Sequence, residues 1–402
     1  MKSVELFAGG GGLGLGLSMV GFGPTLILEK DKWACDTIRE NQICGYPLVQ
    51  DWDVFECDVR NFDFGHIEGV ELVSGGPPCQ PFSLGGKHMA YLDERDMFPT
   101  TVEVVRKLRP RAFLIENVKG ITRQAFANYF QYILLQLSFP EIIKKNSESW
   151  MDHLSRLEKH KTRGRIQGLA YNVVARLLNA ADYGVPQFRE RIFIVGFRTD
   201  QDREWSFPEP THSMDALLYD QWISGEYWER HEISLKNRPS PPAKILPRIK
   251  KLNQTLFPNM IGKPWRTVRD ALSGLPDPRD SGADKFHNHT YQPGAKSYPG
   301  HTGSQLDFPA KTLKAGDHGV PGGENMLVMP NGGIRYFSVR ESARLQTFPD
   351  GYRFHGSWTE TMRQLGNAVP VILARAVGAS IVQELVFSQE KALLKQSNEI
   401  IS

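Results

Sequence analysis

Cys79 stands in the run Gly75-Gly76-Pro77-Pro78-Cys79-Gln80-Pro81-Phe82-Ser83. Two glycines and three prolines make a rigid, sharply turned loop, which a buried and inert cysteine does not need and a nucleophile does. The stretch before it, Val70 to Ser74, reads as a buried strand that Pro-Pro stops, because the residue before each proline is held extended. Cys79 is thus expected at a strand's carboxyl end, where open α/β sheets place their ligands. Glu116 follows another apolar run, Ala112-Phe113-Leu114-Ile115, and is expected at the same edge. A thiol and a carboxyl from neighbouring strand tips are the pair that nucleophilic and acid–base chemistry would use. The bland role for Glu116 is a helix cap. In Tyr183 to Arg191, alternation puts Gln187, Arg189 and Arg191 on one face, as an exposed edge or against a ligand.

The elements around these residues follow an α/β pattern. Ser3 to Phe7 reads as a strand, Ala8 to Gly14 as a glycine-rich turn and Leu15 to Val20 as a helix. Strand, glycine turn and helix start together bind a nucleotide-like cofactor, since glycines admit the backbone and helix-start amides face the ligand. A bare turn would look the same, and the support lies downstream. Thr25 to Leu28 reads as the second strand, ended by Glu29 at the spacing of a carboxylate for ribose hydroxyls. Asp58, at the end of a third strand, is placed to meet an adenine amino group. Residues 100–108 and 124–136 read as helices, the segment from there to Lys161 as irregular, and Tyr171 to Leu178 and Arg191 to Phe197 as strands. A basic cluster at Arg156, Lys159, Lys161, Arg163 and Arg165 falls in between.

The chain has 402 residues and a formal charge of +3, a mild lean towards anionic partners. Its Cys35, Cys44, Cys57 and Cys79 form no CxxC pair, so neither a zinc site nor a disulfide framework is expected and the thiols read as reduced. With no signal peptide and no apolar run read as long enough to span a bilayer, the expected location is the cytoplasm. Residues 198–338 are rich in proline, glycine, histidine and tryptophan. Within them Ile233 to Arg269 holds no Asp or Glu but carries Arg248, Lys250, Lys251 and six other cations. That segregation reads as a phosphate-contact surface, with a solvated linker as the alternative. His287, His289, His301 and His318 lack metal-ligand spacing and read as loop or contact residues. Ser338 to Phe348 reads as an amphipathic helix, and Gly366-Asn367 as the cap of a helix running to about Phe387.

Six blocks in this order resemble the DNA cytosine methyltransferases of the carbon-5 class, of the prokaryotic restriction–modification type. They are Phe7-Ala8-Gly9-Gly10-Gly11-Gly12, Gly76 to Gln80, Glu116-Asn117-Val118, Gln187 to Arg191, Arg340 to Gln346 and Gly366 to Pro370. The resemblance implies a Rossmann-like α/β fold, a mixed seven-stranded sheet with helices on both faces, plus a small irregular target-recognition domain. It divides the chain into a catalytic domain (1–197), the recognition domain (198–338), a hinge and return helix (339–363) and a C-terminal helix completing the catalytic domain (364–402). It implies S-adenosylmethionine as cofactor, leaving as S-adenosylhomocysteine. Its contacts would be Phe7, Gly9, Gly10, Gly12, Glu29, Asp58, Val59, Pro77, Phe98, Asn367 and Ala368. It implies that Cys79 attacks carbon 6 of a flipped-out cytosine so that carbon 5 takes the methyl group, after which the carbon-5 proton and the thiol leave. Glu116 would hold and protonate ring nitrogen 3, with Arg189 and Arg191 in support. Double-stranded DNA is the implied partner, through Gln80, Ser83, Lys87, Arg248, Lys250, Lys251, Thr312 and Leu313. The resemblance further implies a monomer, with no metal and no membrane, paired functionally with a restriction endonuclease without a stable complex.

This sequence departs from the family at three places. Asp96 replaces a usual glycine, Lys30 replaces an apolar cover for adenine, and Gly85-Gly86 leave the catalytic loop without a side chain to fill the vacated stack. The filler is then expected between about Lys296 and Gly333, with Gln305 and His318 as candidates, or from Lys87 or His88. Two other functions compete. A transfer-RNA cytosine methyltransferase shares the core, but the Cys-Phe-Thr signature is absent. A silent DNA-binding relative would not need Cys79, Glu116 and Arg191 together.

Overall fold

The structure is a computed structural model describing all residues but 79–95, 165–167, 202–204, 255–261, 300, 316–324 and 402, with side chains to Phe387. Cys79, Gln80, Ser83, Gly85, Gly86, Lys87, His88, Arg165 and His318 lie outside the described residues. The chain forms two compact units, one of residues 1–178, 190–208 and 351–402, the other of 179–189 and 209–350. These differ from the sequence boundaries. Residues 179–189 belong to the second unit because the Phe188 amide donates to the Ala310 carbonyl and the Ala310 amide to the Pro186 carbonyl, at 2.8 and 2.9 Å.

The first unit is built on a seven-stranded sheet of β1 (Lys2–Leu6), β2 (Gly23–Glu29), β3 (Val54–Glu56), β4 (Leu72–Gly75), β5 (Ala112–Val118), β6 (Tyr171–Asn179) and β7 (Glu190–Arg198). The order is β3-β2-β1-β4-β5-β7-β6. β1 to β5 pair in parallel, and β7 runs antiparallel to β5. β4 and β5 are apolar runs buried on both faces, as parallel strands require. Around the sheet lie α1 (Gly12–Ser18), α2 (Lys32–Ile43), α3 (Phe98–Leu108), α4 (Ala127–Ser138) and α5 (Trp150–Thr162).

α5 corrects the irregular reading before Lys161. Ser149 caps it by accepting from the Asp152 amide, while His153 and Leu157 bury one face. Two buried positions among many charges leave too thin an apolar stripe to show as a period. Its end exposes Lys159, Lys161 and Arg163, whereas Arg156 pairs with Glu148 at 2.8 Å.

The second unit contains α6 (Met214–Tyr219), α7 (Glu226–Arg230), α8 (Leu246–Leu252), α9 (Val268–Leu272) and α10 (Val339–Leu345), with the short strands β8 (His212–Ser213), β9 (Lys263–Pro264), β10 (Ser304–Gln305), β11 (Met326–Val328) and β12 (Ile334–Tyr336). These elements are too short for a sequence period to register. α10 is not a half-exposed amphipathic helix: Arg340, Glu341 and Ser342 are buried with its apolar residues. Glu341 forms a bidentate pair with Arg335 at 2.6 and 2.7 Å and closes a capping box with Ser338. His289 is likewise no surface contact, being buried between the Ser338 hydroxyl and the Pro276 carbonyl.

The chain returns to the first unit through α11 (Trp358–Asn367) and α12 (Val371–Ile401). Gly366 and Asn367 therefore end α11 instead of capping α12. Ala368 is extended and Pro370 forbids continuation. Trp358–Phe387 contains a window long and apolar enough to cross a membrane, contrary to the sequence reading. It is a core element here: Val371, Ala374, Val377 and Ile381 are buried, and α12 packs on α1 so closely that a Cβ on Gly16 would lie 2.5 Å from the Val371 carbonyl oxygen.

Candidate active site and cofactor cavity

At the carboxyl end of the sheet a cavity of about 490 Å³ opens between the tips of β1, β2, β4 and β5 and the end of α11. That volume is in the range of small-molecule cofactor sites. Its floor is set by the turn after β1. Phe7, Gly9 and Gly11 all adopt the left-handed region, at φ of 56°, 54° and 85°. Glycine does so freely, while Phe7 carries strain of roughly 1–3 kcal/mol that the packed sheet must hold.

Glu29 closes the turn from β2. Its Oε2 accepts from the Gly9 amide at 2.7 Å and its Oε1 from the Lys30 and Asp31 amides at 2.8 and 2.7 Å. A carboxylate has roughly four lone-pair sites, so a further donor fits. Burial pushes Glu29 above the ordinary carboxylate range, and the backbone amides oppose this. Asp58 is the reverse case: its hydrogen bonds with the Arg60 guanidinium hold it well below that range, and Lys30 adds a contact at 3.3 Å. Lys30, the departure from an apolar adenine cover, thus ties the rim to Asp58.

The reacting end lies across the cavity. Glu116 Oε1 meets Arg191 Nε at 2.8 Å, both side chains largely buried. Glu116 is the fifth of the seven residues of β5, two before its carboxyl end. Gly76 packs closely beside it, since a Cβ there would stand 3.1 Å from Glu116 Oε2 and press on that carboxyl. Asn117 fastens the loop that leads to Cys79: its Nδ2 donates to the Pro77 carbonyl at 3.0 Å, and its Oδ1 accepts from the Val118 amide at 2.8 Å. Asp96, the second departure, accepts from the Phe98 amide at 3.0 Å and from the Tyr129 hydroxyl, and so ties the chain just before α3 to α4.

The cavity brings together Phe7, Gly9, Glu29, Asp58, Val59, Pro77, Glu116, Arg191, Asn367 and Ala368. Three expected cofactor contacts are not on its wall. Phe98 is fully buried in the core, with Met97 at the wall in its place. Gly10 faces Gln364 and Phe354, and Gly12 is buried within α1. Sequence reasoning missed Glu5, Asn117, Arg60 and Arg363; the first two were legible as polar residues inside or at the end of an apolar run, whereas Arg60 sits in a short turn after Asp58 and Arg363 on α11.

Arg189 and Gln187 lie in the second unit, fully buried. Arg189 donates to the Leu313 carbonyl at 3.2 Å, and Gln187 accepts from the Leu313 amide at 3.0 Å. Instead of presenting one open face, they brace the backbone of residues 310–314. Thr312 donates its hydroxyl to the Phe188 carbonyl at 2.6 Å, and the Leu313 side chain is in the unit's core. Arg248 pairs with Asp215, whereas Lys250 and Lys251 are exposed on α8. Gln305 is exposed on β10.

The profile of the C-5 cytosine-specific DNA methylases matches residues 1–140 and 146–383. The Type II methyltransferase M.PspPI of Psychrobacter is 31% identical over 95% of this chain and 79% of its own. M.NgoMIV of Neisseria gonorrhoeae is 29% identical over 95% and 97%. Among solved structures, a prophage-encoded DNA modification methyltransferase of E. coli superposes with a TM-score of 0.58 at 20% identity, covering 96% of this chain and 99% of the other. The Dnmt2 methyltransferase of S. pombe gives 0.53 at 17% identity, covering 97% and 99%. The cavity fits the methyl donor of that family: amide-bound Glu29 and the glycine turn form one wall, and Glu5 adds a buried carboxyl whose Oε2 meets no donor among the described residues. The chain belongs to the C-5 cytosine-specific DNA methylases, and it is a DNA cytosine-5 methyltransferase that takes its methyl group from S-adenosylmethionine.

Proposed function

We propose that this enzyme methylates a cytosine flipped out of duplex DNA through a covalent adduct on Cys79, and that it protects DNA against a partner restriction endonuclease. The observation that carries the reading is the Glu116–Arg191 pair at 2.8 Å beside the Gly76-Pro77-Pro78 turn that leads to Cys79. When bound, S-adenosylmethionine supplies an electrophilic methyl group on a sulfonium. The chain's residues make cytosine able to accept it. Cys79 adds to carbon 6, which breaks the ring's aromaticity and moves electron density to carbon 5. Glu116 holds and protonates nitrogen 3, taking up the negative charge that this addition creates, and Arg191 fixes the Glu116 carboxyl in place. Once carbon 5 has taken the methyl group, it would lose its proton to solvent, Cys79 would leave as a thiolate and the nitrogen-3 proton would return to Glu116, which restores the ring. Asn117 keeps the Pro77 backbone where the thiol can reach.

The second unit is the target-recognition domain in this reading, with Gln187 and Arg189 as braces for the segment around Thr312 and Leu313. Lys250 and Lys251 contact phosphates, and Gln80, Ser83 and Lys87 contact the target. The enzyme works as a monomer in the cytoplasm, and it shares its site with the endonuclease without a stable complex. Bisulfite sequencing of DNA from cells expressing the protein tests activity, substrate and site at once. Cys79→Ser should abolish modification while DNA and cofactor binding persist, and duplexes carrying 5-fluorocytosine should trap the wild type covalently. Full activity in Cys79→Ser, or no trapped complex, would overturn the mechanism.

A further inference from the structure

Glu5 takes no part in the chemistry above. It lies in β1 between Val4 and Leu6, registered against Ile27 of β2 and Ser74 of β4, and is 1% exposed. Its Oε1 accepts from the Gly14 amide at 3.2 Å. Its Oε2 is buried with no hydrogen-bond donor among the described residues, and the residue lines the cofactor cavity. An ionised carboxylate so placed is costly unless a cation meets it. The protein's own cations on the cavity wall are each engaged elsewhere: Arg191 with Glu116, Lys30 and Arg60 with Asp58, Arg363 with Asp31 and Glu360. Among the described residues no cation meets Glu5, so in the free protein the carboxyl escapes that cost by staying protonated.

We propose that Glu5 reads the charge on the cofactor: neutral in the free protein, it releases its proton to solvent when the sulfonium of S-adenosylmethionine enters, and it keeps the proton when the uncharged thioether product is bound. The inference rests on S-adenosylmethionine being the donor. The amino group is common to donor and product, so only the sulfonium separates them. β1 is also the strand between Glu29's strand and β4, whose end leads to Gly76 beside Glu116. A methyl group that is to reach a base held at Glu116 must start on that side.

The surroundings set the sign. Burial pushes Glu5 up to about 8, the Gly14 amide pulls it down and Glu29 adds repulsion. α1 and β4 bring no titratable side chain to it, being Gly12–Ser18 and Leu72–Gly75. Tyr352 on the same side stays a neutral phenol, its hydroxyl donating to the Gly10 carbonyl at 3.0 Å. The carboxyl is therefore protonated below about pH 8 in the free protein. A cation beside it favours the ionised form, so donor binding strengthens as pH rises towards 8 and then levels off.

The test is calorimetric titration of the wild-type protein with each ligand in buffers of different ionisation enthalpy. At pH 7 S-adenosylmethionine should release close to one proton, and S-adenosylhomocysteine close to none. The ratio of the two affinities should rise by up to about tenfold per pH unit below pH 8. Glu5→Gln keeps an oxygen for the Gly14 amide and should lose both effects. Equal proton release for the two ligands in the wild type would overturn the proposal without any variant, as would unchanged release in Glu5→Gln. If neither ligand binds, the cofactor assignment fails instead.

Discussion

At the level of single residues, the catalytic wall depends on side chains that hold others still. Asn117 is 2% exposed and satisfies both the Pro77 carbonyl and the Val118 amide. Asn117→Ala leaves the buried Pro77 carbonyl and the part-buried Val118 amide without these partners, a cost of about 1–3 kcal/mol at most for the carbonyl and less for the amide. The larger effect should be on rate. A loop displaced by a fraction of an ångström misplaces the nucleophile, so kcat should fall roughly ten- to hundredfold while the dissociation constant for S-adenosylmethionine changes little. Single-turnover kinetics and calorimetry separate the two, and a loss confined to cofactor affinity would contradict the positioning role. Glu5 predicts a pH effect on the free protein. Its folded-state value of about 8 lies above the ordinary carboxylate value. The stabilisation from its bound proton is thus complete below about pH 4.5 and is lost as pH rises through 8. Denaturation midpoints of the cofactor-free wild type should therefore decline over that window more than those of Glu5→Gln.

Among elements, the contact of α1 with α12 decides how the glycine turn is held. Gly16 faces the backbone of α12, with the Val371 oxygen at 2.5 Å and the Arg375 nitrogen at 2.7 Å from the position of a Cβ. Gly16→Ala gains about 1 kcal/mol in helix propensity. Pushing two helix backbones apart costs about 1–3 kcal/mol, and the neighbours are main-chain atoms that cannot rotate away. The clash should win, giving a lower denaturation midpoint and, because α1 carries the turn, weaker cofactor binding. A stabilised Gly16→Ala would show that α12 can shift freely.

For the whole molecule, charge segregation is the feature with a measurable consequence. Net charge is only +3, yet Lys250 and Lys251 stand exposed in a stretch with no acidic residue, while Arg248 is paired with Asp215. If the two lysines meet phosphates, replacing both with alanine should weaken binding to all duplexes alike. It should also lower the slope of log affinity against log salt by up to about 0.9 per lost contact. Arg248→Ala should change the slope less, since its charge is partly spent on Asp215. Unchanged slopes in the double variant would make the segment a solvated linker.

The sequence by itself determined the chemistry-bearing blocks and the strand–turn–helix frame of the first unit. Long apolar strands such as Ala112–Val118 and the glycine turn carry their own local signal, and family blocks extend from Phe7 to Pro370. Only tertiary structure decided what those residues face. Arg189 and Gln187 alternate with Arg191 along one run, but the first two brace the Leu313 backbone while Arg191 meets Glu116. Phe98 and Leu313 went to cores, and Gly366-Asn367 ended one helix instead of starting the next. Glu5 reads in sequence as one charge in an apolar strand, and becomes a buried carboxyl on a cavity wall because β1 lies between two parallel neighbours. Period and spacing are local quantities, whereas pairing, burial and the partner of a charge depend on segments far apart in the chain.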